Sequence, residues 1–135
     1  MGLDMYAHVL TTEGADLIAS GDYVWDDLQP HIVETNFWYW RKHHSLHGWM
    51  QRCYAKKTGI DEPNEFNCIY VELLETDLDD LFDDISEDRL TPTEGFFFGT
   101  QFPYTDEDKV GDFEFIEKAR EHIKNGHHVF YSSWW

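Results

Sequence analysis

Residues 36–53 read NFWYWRKHHSLHGWMQRC, and the fold turns on whether they are one helix or begin as a strand. The stretch holds three of the chain's six tryptophans, two of its four arginines and three of its eight histidines. No acid falls between Glu34 and Asp61, although 27 Asp and Glu against 10 Lys and Arg give the chain a formal charge of −17. Asn36 suits an N-cap, Gly59 a left-handed stop, and Lys56 and Lys57 the negative end of a helix dipole. These signals predict a helix over 36–57, while the rings of its first residues would also suit a strand.

Outward from there, other periods emerge. Leu3, Met5, Ala7 and Val9 alternate with Asp4, Tyr6 and His8, which predicts an opening strand over residues 1–9. Residues 11–30 mix Thr, Gly and Asp with apolar residues up to Pro30 and read as a loop with one short helical turn. CIYVEL (68–73) reads as a strand, and a helix follows from Thr76 to Arg89. In that helix Leu74, Leu78, Leu81, Phe82 and Ile85 form the core stripe, and the acids take the other face. TEGFFFGT (93–100) reads as a buried short strand or a loop plugging the core. A last helix is predicted over Asp106–Lys124, acidic in its first turn with Gly126 as its stop, and HHVFYSSWW closes as a strand. The order of elements predicts a single α+β domain over residues 1–135. It is expected to be two-layered, with about three helices on one face of a small, mostly antiparallel sheet.

Composition narrows the classes of function. With 41% hydrophobic and 17% aromatic residues the chain can build a core despite its charge. No apolar run approaches the roughly 20 residues of a membrane span, and MGLDMY lacks a basic n-region, so a soluble cytoplasmic protein is expected, with no membrane partner. Strong acidity opposes direct binding to a nucleic-acid backbone and suits a protein partner with a basic surface, such as a nucleic-acid-handling protein. Cys53 and Cys68 are the only cysteines, carry no CxxC spacing, and read as reduced thiols.

Four constellations could carry chemistry. His43 and His47 share a helical face, yet no HExxH accompanies them, so no metal is assigned. The acidic run 75–88, with eight carboxylates in fourteen residues, lacks the central glycine of a calcium loop. It reads as a solvated helix face whose Asp79, Asp83 and Asp84 could also meet a basic partner. Arg41 and Lys42 with His47 could hold a phosphate or carboxylate, and Trp40 and Trp49 could stack a base or sugar beside them. Core packing and an internal ion pair would account for the same residues. Asp4 is the expected counter-charge, in a partly buried cluster with Arg41 and His47. GxSxG, P-loop and GxGxxG motifs are absent, so neither catalytic residues nor a cofactor are assigned.

MGLDMY, the block from Tyr39 to Trp49, EGFFFG and YSSW, in this order, resemble a family of small uncharacterised proteins from phages and prophage-bearing bacteria. The family pattern falls on Tyr39, Trp40, Arg41, Lys42, His47 and Trp49, while His43 and His44 depart from it. The resemblance implies a phage or prophage setting and no mechanism. The expected function is a non-enzymatic binding protein or inhibitor of a host or competing-element protein, with a surface that mimics nucleic acid. The alternative is a binder of small anions or nucleotides, hydrolytic or not, built on Arg41, Lys42 and His47.

Overall fold

The computed structural model describes residues 3–41, 43–60, 68–90 and 105–134; Lys42 and the Phe-rich block at 93–100 lie outside the described residues. Strand β1 (Asp4–Leu10) follows its period of two: Leu3, Met5, Ala7 and Val9 are buried on one face, and Asp4, Tyr6 and His8 point to the other. Next come α1 (Thr12–Ser20), the short α2 (Trp25–Leu28) with a 3-10 turn at Gln29–His31, β2 (Ile32–Arg41) and α3 (His44–Thr58). They are followed by β3 (Val71–Leu73), α4 (Glu75–Ser86), α5 (Asp106–Lys124) and β4 (His128–Trp134). The sheet order is β2-β1-β4-β3, and every neighbouring pair is antiparallel.

The fold is α+β. Leu46 and Met50 of α3, Leu78, Leu81 and Ile85 of α4, and Phe115, Ile116 and Ala119 of α5 share one core with Met5, Val9, Val129 and Tyr131 of the sheet. A second, smaller cluster of Leu10, Ala15 and Phe130 lies on the opposite face, where α1 covers one end of the sheet. That helix replaces the loop expected over 11–30. Its signals are local: the Thr11 hydroxyl accepts from the Gly14 amide at 3.2 Å, and Gly21 closes it at φ 73°.

The predicted helix over 36–57 is corrected at its start. Asn36 to Arg41 belong to β2, and α3 begins only at His44. Rings decide this, because on a strand Trp38 and Trp40 face Ala7 and Met5 of β1, above Phe115, while Tyr39 and Arg41 turn away. Beyond Trp38 the pairing shifts, so that Ala7 faces Trp38 but Val9 faces Glu34. The extra residues of β2 form a bulge with Asn36 at φ 56°, and Phe37 swings to the helix side against Phe115. Among the described residues, no helix is long and apolar enough to cross a membrane.

One carboxylate ties the strand to two helices. Asp112 of α5, 2% exposed, accepts from the Trp40 indole at 3.1 Å and from His43 Nε2 at 2.7 Å. His43 is also the N-cap of α3, its Nδ1 accepting from the Leu46 amide at 3.3 Å. Nδ1 therefore carries no proton, and Nε2–H is the donor to Asp112. Asp112→Ala would remove the acceptor of the buried Trp40 indole and of the half-buried His43 imidazole. The expected loss is about 3 kcal/mol, read as a lower urea midpoint at unchanged slope.

Candidate functional site

The residues expected to form one pocket are divided between the two faces of the sheet. Asp4 and Arg41 are cross-strand partners, with 3.8 Å between Arg41 Nε and Asp4 Oδ1, and the Tyr39 hydroxyl donates to the same oxygen at 2.7 Å. This pair belongs to the open face, where the Arg41 side chain is 62% exposed. His47, Trp40 and Trp49 are buried on the helix side. The expected cluster is thus half formed: Asp4 meets Arg41, but His47 does not join them. An exposed pair of this kind contributes little to stability. Arg41 and His47 cannot close on one anion across a sheet, and Lys42 lies outside the described residues.

His47 is shaped for a structural role. Its Nδ1 is 2.7 Å from the Tyr131 hydroxyl, and burial together with nearby His44 pushes its pKa down to about 3. Burial also holds the Tyr131 phenol well above its ordinary range. Both groups stay uncharged at neutral pH and bond α3 to the sheet. The pair His43 and His47, at helical spacing, is split in the same way, since His43 turns to Asp112. His127 and His128 go to His122 and Glu72. Among the described residues, no group of three or more His, Cys, Asp or Glu is placed to hold a metal ion. Cys53 and Cys68 are both thiols. Burial, with Asp77 nearby, raises Cys53 to about 12, too high for a nucleophile at neutral pH.

The acidic helix α4 is more than a solvated face. Asp84 accepts from the Trp49 indole at 2.8 Å and from Arg89 Nε at 2.9 Å, which makes it a structural anchor. Asp79 bonds Arg120 of α5 at 2.7 Å, and Asp77 bonds Lys57 of α3. Asp83 and its neighbour Asp80 are exposed and make no ion pair among the described residues. They line a cleft of about 550 Å³ between α3 and α4, which also takes in Arg52 and Lys56.

The core stripe needs a correction at Phe82 and Leu74, which are 40% and 50% exposed. Leu78, Leu81 and Ile85 fill the core, and Phe82 sits at the edge of that stripe. There it packs on Phe113 of α5 with ring centroids 5.0 Å apart, and the Arg120 guanidinium lies over it at 5.4 Å. These rings line a second cleft, of about 520 Å³, whose charged residues are Glu75, Glu117 and Glu121 with Arg120 and Lys124. Helical spacing alone marks Phe82 as apolar but not as uncovered.

No family model, curated protein or solved structure compared with the chain matches it.

His8 and His47 generate a pH dependence. Burial lowers His8 to about 4, and His47 is lowered to about 3, against 6.5 when unfolded. The unfolded chain therefore binds more protons below pH 6.5, and the stability due to neutral burial is lost as pH falls through that window. Each group is expected to withdraw on the order of 1–2 kcal/mol between pH 7 and pH 5. Urea midpoints of His47→Gln should fall less over that interval than those of the parent protein. NMR should show both imidazoles unprotonated at pH 5.

Proposed function

We propose that this chain is a non-enzymatic binding protein of phage type, acting as an inhibitor of a basic partner protein from a host or competing element. The observation that carries the reading is Phe82, 40% exposed and packed on the partly buried Phe113, at a cleft bordered by Glu75, Glu117 and Glu121 with Arg120 and Lys124. An apolar ring that solvent reaches, bordered by charged side chains of both signs, matches the anatomy of a protein interface. The ring fills a pocket on the partner, and the rim steers and selects. At −17 the chain attracts cationic surfaces and repels nucleic acid, so a partner that normally holds a phosphate backbone suits it best. The likeness to phage and prophage proteins agrees with such a role. Of the three aspartates expected at this surface, Asp79 pairs with Arg120 and Asp84 serves the fold, which leaves exposed Asp83 for a partner.

Affinity capture from host lysate followed by calorimetry on the captured protein tests this reading. Phe82→Ala is expected to weaken binding about tenfold or more, as for an interface anchor. Asp80→Asn with Asp83→Asn, which breaks no ion pair among the described residues, should slow association and flatten its salt dependence. Affinity unchanged in both variants would overturn the proposal.

A further inference from the structure

The face of the sheet turned away from α3, α4 and α5 carries a second feature, independent of the acidic helices. Beyond the end covered by α1 lies a recess of about 350 Å³ lined by Tyr6, His8, Trp25, Tyr70 and Trp134, with Asn36, Ser132 and Ser133 among its polar groups and Cys68 beside them. It continues past Tyr6, His8, Trp25 and Asn36 into an adjoining hollow that contains Glu34. This size is at the lower end of the roughly 300–1,000 Å³ of small-molecule pockets.

The rings are arranged as a floor and walls. His8 lies at the base, its Nε2 3.1 Å from the Ser132 hydroxyl. Trp25 and Tyr70 stand edge-on to it, with centroids 5.5 and 5.6 Å away and interplanar angles of 63° and 64°. Tyr6 is stacked beside it at 6.2 Å. Trp25 and Trp134 remain 45% and 61% exposed, so the rings are not spent on the protein's own core. Asn36 at φ 56° and Cys68 at φ 62° are two of the three non-glycine residues described with positive φ, and both line the recess. Backbone held in that region by non-glycine residues is costly and concentrates at functional sites.

Charge selects the ligand. Among the described residues neither the recess nor the hollow is lined by Lys or Arg, so an anion would find no partner among them and would meet a protein of charge −17. His8 stays neutral above about pH 4 and adds no repulsion to a cation. The negative faces of Trp and Tyr attract a cation that has left water, and Glu34, which also lies 3.7 Å from His122 Nε2, lines the adjoining hollow as its acidic residue. We infer that the recess over His8 is a binding site for a methylated ammonium cation, held by Trp25, Tyr70, Tyr6 and Trp134. The cation could belong to a free small molecule or to a methylated lysine side chain.

Titration followed by tryptophan fluorescence and by NMR of the Trp25 and Tyr70 rings tests this. The probes are choline, a trimethyl-lysine amide, the uncharged choline isostere 3,3-dimethylbutanol, and adenosine as a neutral planar ring. Saturable binding of choline or trimethyl-lysine about tenfold or more tighter than of dimethylbutanol is expected, and the tighter of the two cations identifies the source. Trp25→Ala, in a short exposed helix, should lose about tenfold in affinity while far-UV circular dichroism is unchanged. Glu34→Gln should weaken the cations and leave dimethylbutanol unaffected. No saturable binding of either cation, equal affinity for the uncharged isostere, or tighter binding of adenosine would each overturn the inference.

Discussion

A single buried carboxylate holds this architecture together. Asp112 receives the indole of a strand residue and the imidazole that caps the next helix, so β2, α3 and α5 are fixed relative to one another at one point. A carboxylate this deep is tolerated because two donors meet it. Its position suits the change from β2, which ends at Arg41, to α3, because His43 both reaches Asp112 and caps the helix. Trp40, which could have been a stacking platform for a ligand, is thereby committed to the core.

From that point the sheet divides the molecule chemically. The helix side is filled by aliphatic and aromatic side chains, with His47 and Tyr131 as its neutral polar link. The opposite side keeps rings and an exposed ion pair within reach of solvent. The excess negative charge sits mainly on the outer faces of α4 and α5, where several carboxylates are neutralised by Lys57, Arg89, Arg120 and Lys109, and others are left to water. Such an arrangement gives two surfaces of different character on one small domain: one apolar with a charged rim, the other rich in aromatic rings.

Much of the fold could be read from local signals. The period of two in β1, the leucine spacing of α4 and the reciprocal cap between Thr105 and Asp108 at the start of α5 each identify an element without reference to the rest of the chain. The errors arose where long-range pairing overrode local preference. Residues 36–41 have a helix cap and a basic end downstream, yet the free edge of β1 and the burial of Trp38 and Trp40 draw them into the sheet. The bulge at Asn36 follows from that pairing and has no signature within β2 itself. The site was less legible for a related reason. Asp4 meets Arg41 because strand register places them opposite one another, but nothing in the spacing of Arg41 and His47 reveals that a sheet lies between them. Likewise Tyr6 and His8 identify an outward strand face, while the walls over them, Trp25 and Tyr70, come from distant segments.

The order β2-β1-β4-β3 places the first and last strands of the domain side by side at the centre of the sheet. His8 and Ser132, bonded across that junction, are 124 residues apart. Closing so long a loop carries an entropic cost before any of the central ladder is formed, whereas α4 and α5 can form and meet through nearby sequence. On this ground the β1–β4 pairing is expected to form later than the β1–β2 pairing. During synthesis β1 must wait for β4 to emerge, and until then the apolar side of β1 has no strand beside it on that edge. A sheet built in this way depends on β1 and β4 together: loss of either removes its middle and not its margin.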